Sequence, residues 1–202
     1  MVTQVIGVTG SIGSGKSTFS RFLAAGGGAH LDADKIARDL IVYGQEGYAP
    51  VVDEFGTDIL DEKGYIQPGK LADEVFSDKQ KLRRLEEILH PLVEKEVKKA
   101  ISKPKREFYV IDAPLLFEAE FDKLCDWVVV VTAPCEVVEK RLKKDSLPLE
   151  DVKRRRRMQM AVEEKIKRAD QVVDNSGTEA KLKEKAVQLL KRIKNNQFAA
   201  KD

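Results

Sequence analysis

Short apolar runs recur along the chain, and longer stretches with apolar residues at helical spacing separate them. Short runs rich in β-branched residues are typical of buried strands. The alternation of such runs with helical stretches predicts an α/β fold: a mostly parallel five-stranded sheet with flanking helices. The predicted strands are 4–8, 29–32, 108–112, 127–132 and 171–174, and a C-terminal helix is predicted over 178–195.

Residues 43–105 break this alternation, since they contain glycine turns and a long helical pattern but no strand-like run. We interpret them as a helical insertion in a nucleotide-binding core formed by residues 1–42 and 106–202. In open α/β sheets, ligands bind at the carboxyl ends of the strands, and we expect the insertion to cover that edge. The pair His90-Pro91 predicts the end of the helix over 81–89, because proline interrupts helical hydrogen bonding.

The clearest chemical signal is the sequence GSIGSGKS at residues 10–17, which fits the phosphate-loop pattern G-x-x-x-x-G-K-[ST] between a strand and a helix. In this pattern, backbone N–H groups surround phosphate oxygens, the lysine reaches the β- and γ-phosphates, and the hydroxyl binds Mg²⁺. The alternative is a plain glycine turn, in which the four fixed positions of the pattern would occur by chance in roughly one chain of this length in a hundred. We predict ATP and Mg²⁺ as cofactors, with phosphate contacts from Ser11, Gly13, Ser14, Gly15, Lys16, Ser17 and Thr18.

Two aspartates follow predicted strands at the edge where a ligand is expected. Asp34 comes just after the second strand, and Asp112 ends the apolar third strand. A kinase needs a carboxylate that takes the proton of the acceptor hydroxyl, and another near Mg²⁺. Asp34, or Asp32 at the end of the second strand, is a candidate for the first role, although either could instead cap a helix, and Asp112 is a candidate for the second.

Basic residues are concentrated between the fourth and fifth strands, at Arg141, at Lys143-Lys144 and at residues 154–157. We interpret residues 141–160 as a lid whose guanidinium groups clamp phosphates. A solvated helix face is the plain alternative. A nucleic-acid surface is disfavoured, because no aromatic residues are interleaved for base stacking.

Composition narrows the class of protein further. The 202 residues are 42% hydrophobic and 35% charged, and the net charge of +2 argues against a general nucleic-acid binder. Cys125 and Cys135 do not form a C-x-x-C pair, which favours reduced thiols. No signal peptide and no membrane-length apolar run is visible, so we expect a cytoplasmic protein with neither a membrane nor a nucleic-acid partner. The pattern does not indicate an oligomeric state.

Taken together, these segments resemble the dephospho-coenzyme A kinase family over nearly the whole chain. The segments that carry the resemblance are VTGSIGSGKST at 8–18, LDAD at 31–34, FG at 55–56, LEEILHP at 85–91, DAPLLFE at 112–118, AD at 169–170 and DN at 174–175. The resemblance implies a P-loop kinase fold with a lid, and a helical region that binds coenzyme A. It also implies the last step of coenzyme A synthesis, in which ATP phosphorylates the ribose 3′-hydroxyl of dephospho-coenzyme A.

The resemblance further implies roles for individual residues. Asp34 would be the base, and Lys16 and Arg141 would stabilise the transferring phosphoryl group. Ser17 would hold Mg²⁺, and Asn175 would lie near the adenine of ATP. The acceptor site would be bordered by His90, Pro114, Leu115 and Phe117.

Two other classes of function compete with this one. Another small-molecule P-loop kinase, for nucleoside monophosphates or shikimate-like alcohols, would share the phosphate loop but not the LHP and PLLFE segments. A regulatory nucleotide switch or nucleic-acid-dependent ATPase would hydrolyse ATP without an added alcohol. The low aromatic content of 6% and the acidic Asp34 disfavour it.

Overall fold

The computed structural model describes residues 4–76, 78–103, 106–144 and 149–195. Within these residues, five strands form one parallel sheet in the order β2-β3-β1-β4-β5. The prediction of a parallel α/β fold is confirmed, and β1 extends one residue beyond its predicted end. The strands are β1 Gln4–Thr9, β2 Ala29–Asp32, β3 Phe108–Asp112, β4 Trp127–Thr132 and β5 Gln171–Asp174.

Helices connect the strands, as the parallel arrangement requires. The first helix, α1, follows β1, and α6, α7 and α8 lie between β4 and β5. Short 3₁₀ helices occupy Thr57–Ile59 and Phe121–Leu124. The helices of the described residues are α1 Lys16–Ala24, α2 Ala33–Leu40, α3 Tyr48–Phe55, α4 Pro68–Phe76, α5 Lys79–Ile101, α6 Cys135–Lys144, α7 Leu149–Met158, α8 Val162–Arg168 and α9 Glu179–Lys194.

The main core lies between the sheet and the helices α1 and α9. All residues of β3 are buried, as the continuous apolar run predicts for a central parallel strand. Phe19 and Leu23 of α1 are fully buried against this face. Burial of each large apolar side chain contributes about 1.5–3 kcal/mol, and this packing fixes the position of the β1–α1 loop.

The chain divides into two compact units, residues Met1–Asp32 with Pro104–Asp202, and residues Ala33–Lys103. The second unit begins ten residues before the predicted insertion at 43, since α2 packs against α5. Its core is formed by α3, α4 and the adjoining 3₁₀ turn. The fully or nearly buried members are Val51, Ile59, Leu71 and Val75.

The long helix α5 corrects one prediction, because it continues through Pro91 to Ile101. A proline inside a helix costs about 3 kcal/mol, since its nitrogen cannot donate and its ring crowds the preceding turn. Buried Val93 and Val97 extend the apolar face beyond the proline, and their packing outweighs that cost. His90 therefore lies within the helix and not at its C-terminus. None of the described helices, including this one, is both long and apolar enough to cross a membrane.

Candidate active site

The loop between β1 and α1 has the backbone form that phosphate binding requires. Gly13 and Gly15 have φ angles of 78° and 90°, which are unfavourable for residues with a side chain. Ser14 N donates to Ser11 O at 3.0 Å and closes a turn within the loop. Gly15 is the N-cap of α1, so no side chain covers the first N–H groups of the helix. These N–H groups are available to an anion at the positive end of the helix.

Two side chains fix this loop through its carbonyl oxygens. Arg141 of α6 donates to the carbonyl oxygens of Gly13 and Ser14 at 3.3 and 3.2 Å. Asn175 is 4% exposed, and its side-chain Nδ2 donates to Ser14 O at 2.7 Å. The backbone oxygen of Asn175 accepts from Arg141 at 3.0 Å. Because protein donors engage these two carbonyls, the loop is fixed at Gly13 and Ser14. Arg141 and Asn175 thus both contact the phosphate loop itself.

Lys16 and Asp112 meet at the centre of the site. Lys16 Nζ lies 3.1 Å from both Asp112 Oδ1 and Ser17 Oγ. His30 Nε2 lies 3.2 Å from the other carboxylate oxygen, Oδ2. Burial alone would raise the pKa of Asp112. The hydrogen bond from His30, the positive charge of Lys16 and a hydrogen bond from Ser17 together hold that pKa below its usual value, so the carboxylate is charged near neutral pH.

His30 was not identified from the sequence. Its position in β2 reaches Asp112 only because β2 pairs with β3, where Asp32 is in register with Asp112. A histidine within the short strand AHLD was the available signal. The histidine could be linked to Asp112 only once the pairing of β2 with β3 was known.

Asp34 and His90 belong to the second unit. Asp34 is in the first turn of α2 and follows Asp32 by two residues. A carboxylate there stabilises the helix N-terminus, so the capping role and the catalytic role are both compatible with its position. Burial lowers the pKa of His90 below 6.5, and the imidazole is therefore neutral at pH 7.

Residues 113–118, which we call the β3 loop, continue from Asp112. Ala113 N donates to Val8 O at 3.1 Å, and Thr9 Oγ1 donates to Pro114 O at 3.3 Å. Phe117 is 6% exposed and lies beneath the Arg168 guanidinium, whose carbon is 5.6 Å from the ring centroid. Phe117 is therefore part of the core, while Pro114 and Leu115 are half-buried and available as a wall.

Residues 141–160, which we predicted as a lid, include the last turn of α6 and all of α7, and residues 145–148 lie outside the described part of the chain. Val152 of α7 packs with Val138 and Leu142 of α6. Arg156 and Arg157 are exposed on α7. Arg156 also borders a cavity of about 390 Å³ that reaches Ser11 of the phosphate loop. Two guanidinium-bearing helices thus lie in the same unit as the phosphate loop.

Sheet order, phosphate loop and the Lys16–Asp112 pair define a P-loop kinase. A family model described as "CoaE: Dephospho-CoA kinase" matches residues 4–181. The chain therefore belongs to the dephospho-CoA kinase family, and the resemblance found in the sequence is confirmed.

Individual relatives agree with this assignment. A dephospho-CoA kinase of Carboxydothermus hydrogenoformans is 42% identical over 205 residues, which cover 100% of both chains. The structure of the dephospho-CoA kinase from Campylobacter jejuni has a TM-score of 0.68 and 28% identity, and the match covers 96% of this chain and 98% of that one. A shikimate kinase from Acinetobacter baumannii has a TM-score of 0.55 and 17% identity over 98% and 96% of the two chains. This last likeness shows the shared fold alone.

Proposed function

We propose that the protein transfers the γ-phosphoryl group of ATP to the ribose 3′-hydroxyl of dephospho-coenzyme A, giving coenzyme A and ADP. This is the last step of coenzyme A biosynthesis. One observation carries the proposal: a complete phosphate loop with the Lys16–Asp112 pair occurs in a chain that matches the dephospho-CoA kinase family over residues 4–181. Another small-molecule kinase activity would need a different family assignment.

The phosphate loop would bind the β- and γ-phosphates of ATP. Gly13 and Gly15 hold the loop open, and Arg141 and Asn175 hold its carbonyls away from the ligand. Ser14 Oγ is buried without a hydrogen-bond partner among the described residues, which fits a loop completed by a ligand oxygen. The other predicted phosphate contacts, Ser11 and Thr18, lie on the same turn and helix start.

A magnesium ion fits the oxygen atoms beside Lys16. Ser17 Oγ and Asp112 Oδ1 both lie 3.1 Å from a cation, the Lys16 ammonium. The described residues include no group of three or more His, Cys, Asp and Glu side chains able to hold a metal by themselves. Mg²⁺ would therefore be held by Ser17 and Asp112 together with water and phosphate oxygens, and when bound it neutralises charge on the phosphates.

Asp34 would accept the proton of the 3′-hydroxyl as that oxygen attacks the γ-phosphorus. The chain path supports this role, because Asp34 follows Asp32, whose backbone is in register with Asp112. Lys16 would stabilise the negative charge that moves onto the bridging and terminal phosphate oxygens. The ADP oxygen leaves as the new phosphate ester bond forms.

The family resemblance implies that His90, Pro114, Leu115 and Phe117 border the acceptor. Neutral, half-buried His90 suits a hydrogen bond to the acceptor without an added charge. Pro114 and Leu115 offer half-buried apolar surface to a ring, and Phe117 supports them from the core. These contacts, and the placement of adenine near Asn175, follow the family resemblance.

Arg141 would stabilise the transferring phosphoryl group from its position beside the phosphate loop. Its guanidinium already binds the carbonyls of Gly13 and Ser14, so its position depends on the loop. The exposed arginines of α7, Arg156 and Arg157, would supply the mobile guanidinium groups of a lid. A cytoplasmic location without nucleic-acid or membrane partners stays a prediction from composition.

The identity of the product tests the proposal. Purified protein is incubated with ATP, Mg²⁺ and dephospho-coenzyme A, and the product is examined by ³¹P NMR and mass spectrometry. A new phosphomonoester on the ribose 3′-oxygen, with one ADP formed per ester, is the expected result. ADP formed without that ester, or an ester elsewhere on the acceptor, would contradict the proposal.

A further inference from the structure

A buried lysine that no sequence motif includes lies next to the phosphate loop. Lys165 of α8 has only 1% of its surface exposed. Its Nζ atom lies 2.5 Å from Pro114 O, 3.0 Å from Glu118 Oε1 and 3.4 Å from Thr9 Oγ1. Removing an ammonium group from water costs several kcal/mol, which only well-placed partners offset. The three partners join the end of β1 to both ends of the β3 loop.

Glu118 has a second bond that extends this network to the arginine-bearing helix. Met160 N, two residues beyond the end of α7, donates to Glu118 Oε1 at 2.6 Å. The neighbouring Gln159 accepts from Ile12 N of the phosphate loop at 3.3 Å. The C-terminal end of α7 is therefore attached to the phosphate loop on one side and to Glu118 on the other.

The same helix α8 holds the β3 loop at another point. Arg168, one turn after Lys165, stacks on the ring of Phe117 at 5.6 Å. Lys165 thus binds both ends of the loop, and Arg168 binds Phe117 between them. Since Pro114 accepts from Lys165 and Leu115 lies between Pro114 and Phe117, the positions of both depend on α8.

We propose that Lys165 and Glu118 are a positioning pair, which fixes the β3 loop and the end of α7 relative to the phosphate loop. The inference rests on the proposed function, in which the β3 loop contacts the acceptor and the arginines of α7 contact the phosphates. Lys165 contacts protein groups, and it acts through Pro114 and through Glu118.

Electrostatics agree with this arrangement. Burial lowers the pKa of Lys165, and the positive charge of Lys16 lowers it further, while the Glu118 carboxylate opposes both effects. The ion pair with Glu118 therefore favours the charged form of Lys165 against the effects of burial and of Lys16. Loss of Glu118 alone leaves an unpaired buried charge, whereas loss of both partners leaves none.

This difference makes a decisive experiment possible. We would compare Lys165→Met, Glu118→Gln and the double variant with the wild type, since both replacements keep side-chain size and remove charge. The pair Lys167→Met with Glu164→Gln is the matched control, because Lys167 and Glu164 form an exposed ion pair of 3.5 Å on the same helix. Unfolding midpoints, the Kd of ATP, and kcat and KM for dephospho-coenzyme A are measured.

Each single variant is expected to lower the unfolding midpoint, and the double variant to recover most of that loss. If the pair positions the site, the double variant still shows kcat/KM for the acceptor at least about tenfold below wild type, because small displacements of reacting groups are costly. Its Kd for ATP stays within about threefold of wild type, since the phosphate loop is intact. The control pair is expected to leave both the unfolding midpoint and kcat/KM for the acceptor unchanged.

Recovery of kcat/KM together with stability in the double variant would overturn the inference, as the pair would then be structural only. Unchanged kinetics in all variants would overturn it too. Failure of the proposed function looks different, since wild-type protein would then not phosphorylate dephospho-coenzyme A at all.

Discussion

Lys16 Nζ lies 3.1 Å from Asp112 Oδ1, and this contact links the phosphate loop after β1 to the end of the neighbouring strand β3. Asp112 is 1% exposed, so the ion pair is largely protected from solvent on the carboxylate side. The same lysine contacts Ser17 Oγ. The structure therefore brings a lysine, a hydroxyl and a carboxylate together at one point.

Replacement of Asp112 by asparagine tests the role of this carboxylate. The amide would keep the side-chain size but remove the charge that faces Lys16 and His30. We expect the Mg²⁺ concentration for half-maximal activity to rise about 10- to 100-fold, the usual loss when a group around a bound metal is changed. Activity titrated with Mg²⁺ measures this. Asp58→Asn, which changes an exposed residue of a 3₁₀ helix, is the control. If the Mg²⁺ titration of Asp112→Asn matched that of the wild type, Asp112 would not be part of the metal site.

Asp34→Asn tests the catalytic base. The amide cannot accept the 3′-hydroxyl proton, so turnover is expected to fall at least about 10²-fold while ATP binding is retained. The matched control is Asp39→Asn on the same helix, because the Asp39–Lys35 pair is exposed. Rapid-quench turnover and equilibrium ATP binding are measured on both variants. Near-normal turnover of Asp34→Asn would leave helix capping as the role of this residue.

Gly15→Ala tests the geometry of the phosphate loop. Its φ angle of 90° is strained for alanine, and an added Cβ would lie 2.2 Å from Asn175 Nδ2. The left-handed conformation alone costs roughly 1–2 kcal/mol, so a lower unfolding free energy and weaker ATP binding are expected. Gly69→Ala is the matched control, since Gly69 lies in α4 with nothing within 4 Å of its added Cβ. Alanine there favours the helix by up to about 1 kcal/mol. Equal effects of the two substitutions would refute the assigned loop geometry.

His90 gives a prediction for the pH dependence of stability. Because burial lowers its folded-state pKa below 6.5, the unfolded chain binds the proton more readily. The free energy of unfolding should therefore decrease as the pH falls from 6.5 towards the folded-state pKa, and this contribution is fully present above 6.5. Denaturant unfolding of the wild type and of His90→Gln at several pH values isolates the contribution as a difference. A difference that does not change between about pH 7.5 and pH 5 would contradict the shift.

Much of the fold could be predicted from local pattern. The continuous apolar runs of β3 and β4 are typical of central parallel strands, and their bounds were predicted correctly. The phosphate loop was predictable because its glycines have a backbone role that few other residues can fill. The end of α5 was predicted wrongly, since the packing of Val93 and Val97 beyond Pro91 is a tertiary effect.

The contacts between distant elements could not be predicted in the same way. Lys165 stands in the charged sequence VEEKIKR, which by itself indicates a solvated helix face. Its burial depends on Pro114 and Glu118, which are about fifty residues away in the sequence. Likewise, the bonds of Arg141 to loop carbonyls arise from the packing of α6 on the phosphate loop and not from any local spacing.

Acceptor-dependent consumption of ATP tests the central claim most directly. Purified protein with Mg²⁺ and ATP is offered dephospho-coenzyme A, AMP, CMP, shikimate or no acceptor, and ADP formation is followed. We predict rapid ADP formation with dephospho-coenzyme A and only background hydrolysis with the other four. Equal ADP formation without an acceptor, or preferred turnover of AMP, CMP or shikimate, would contradict the account.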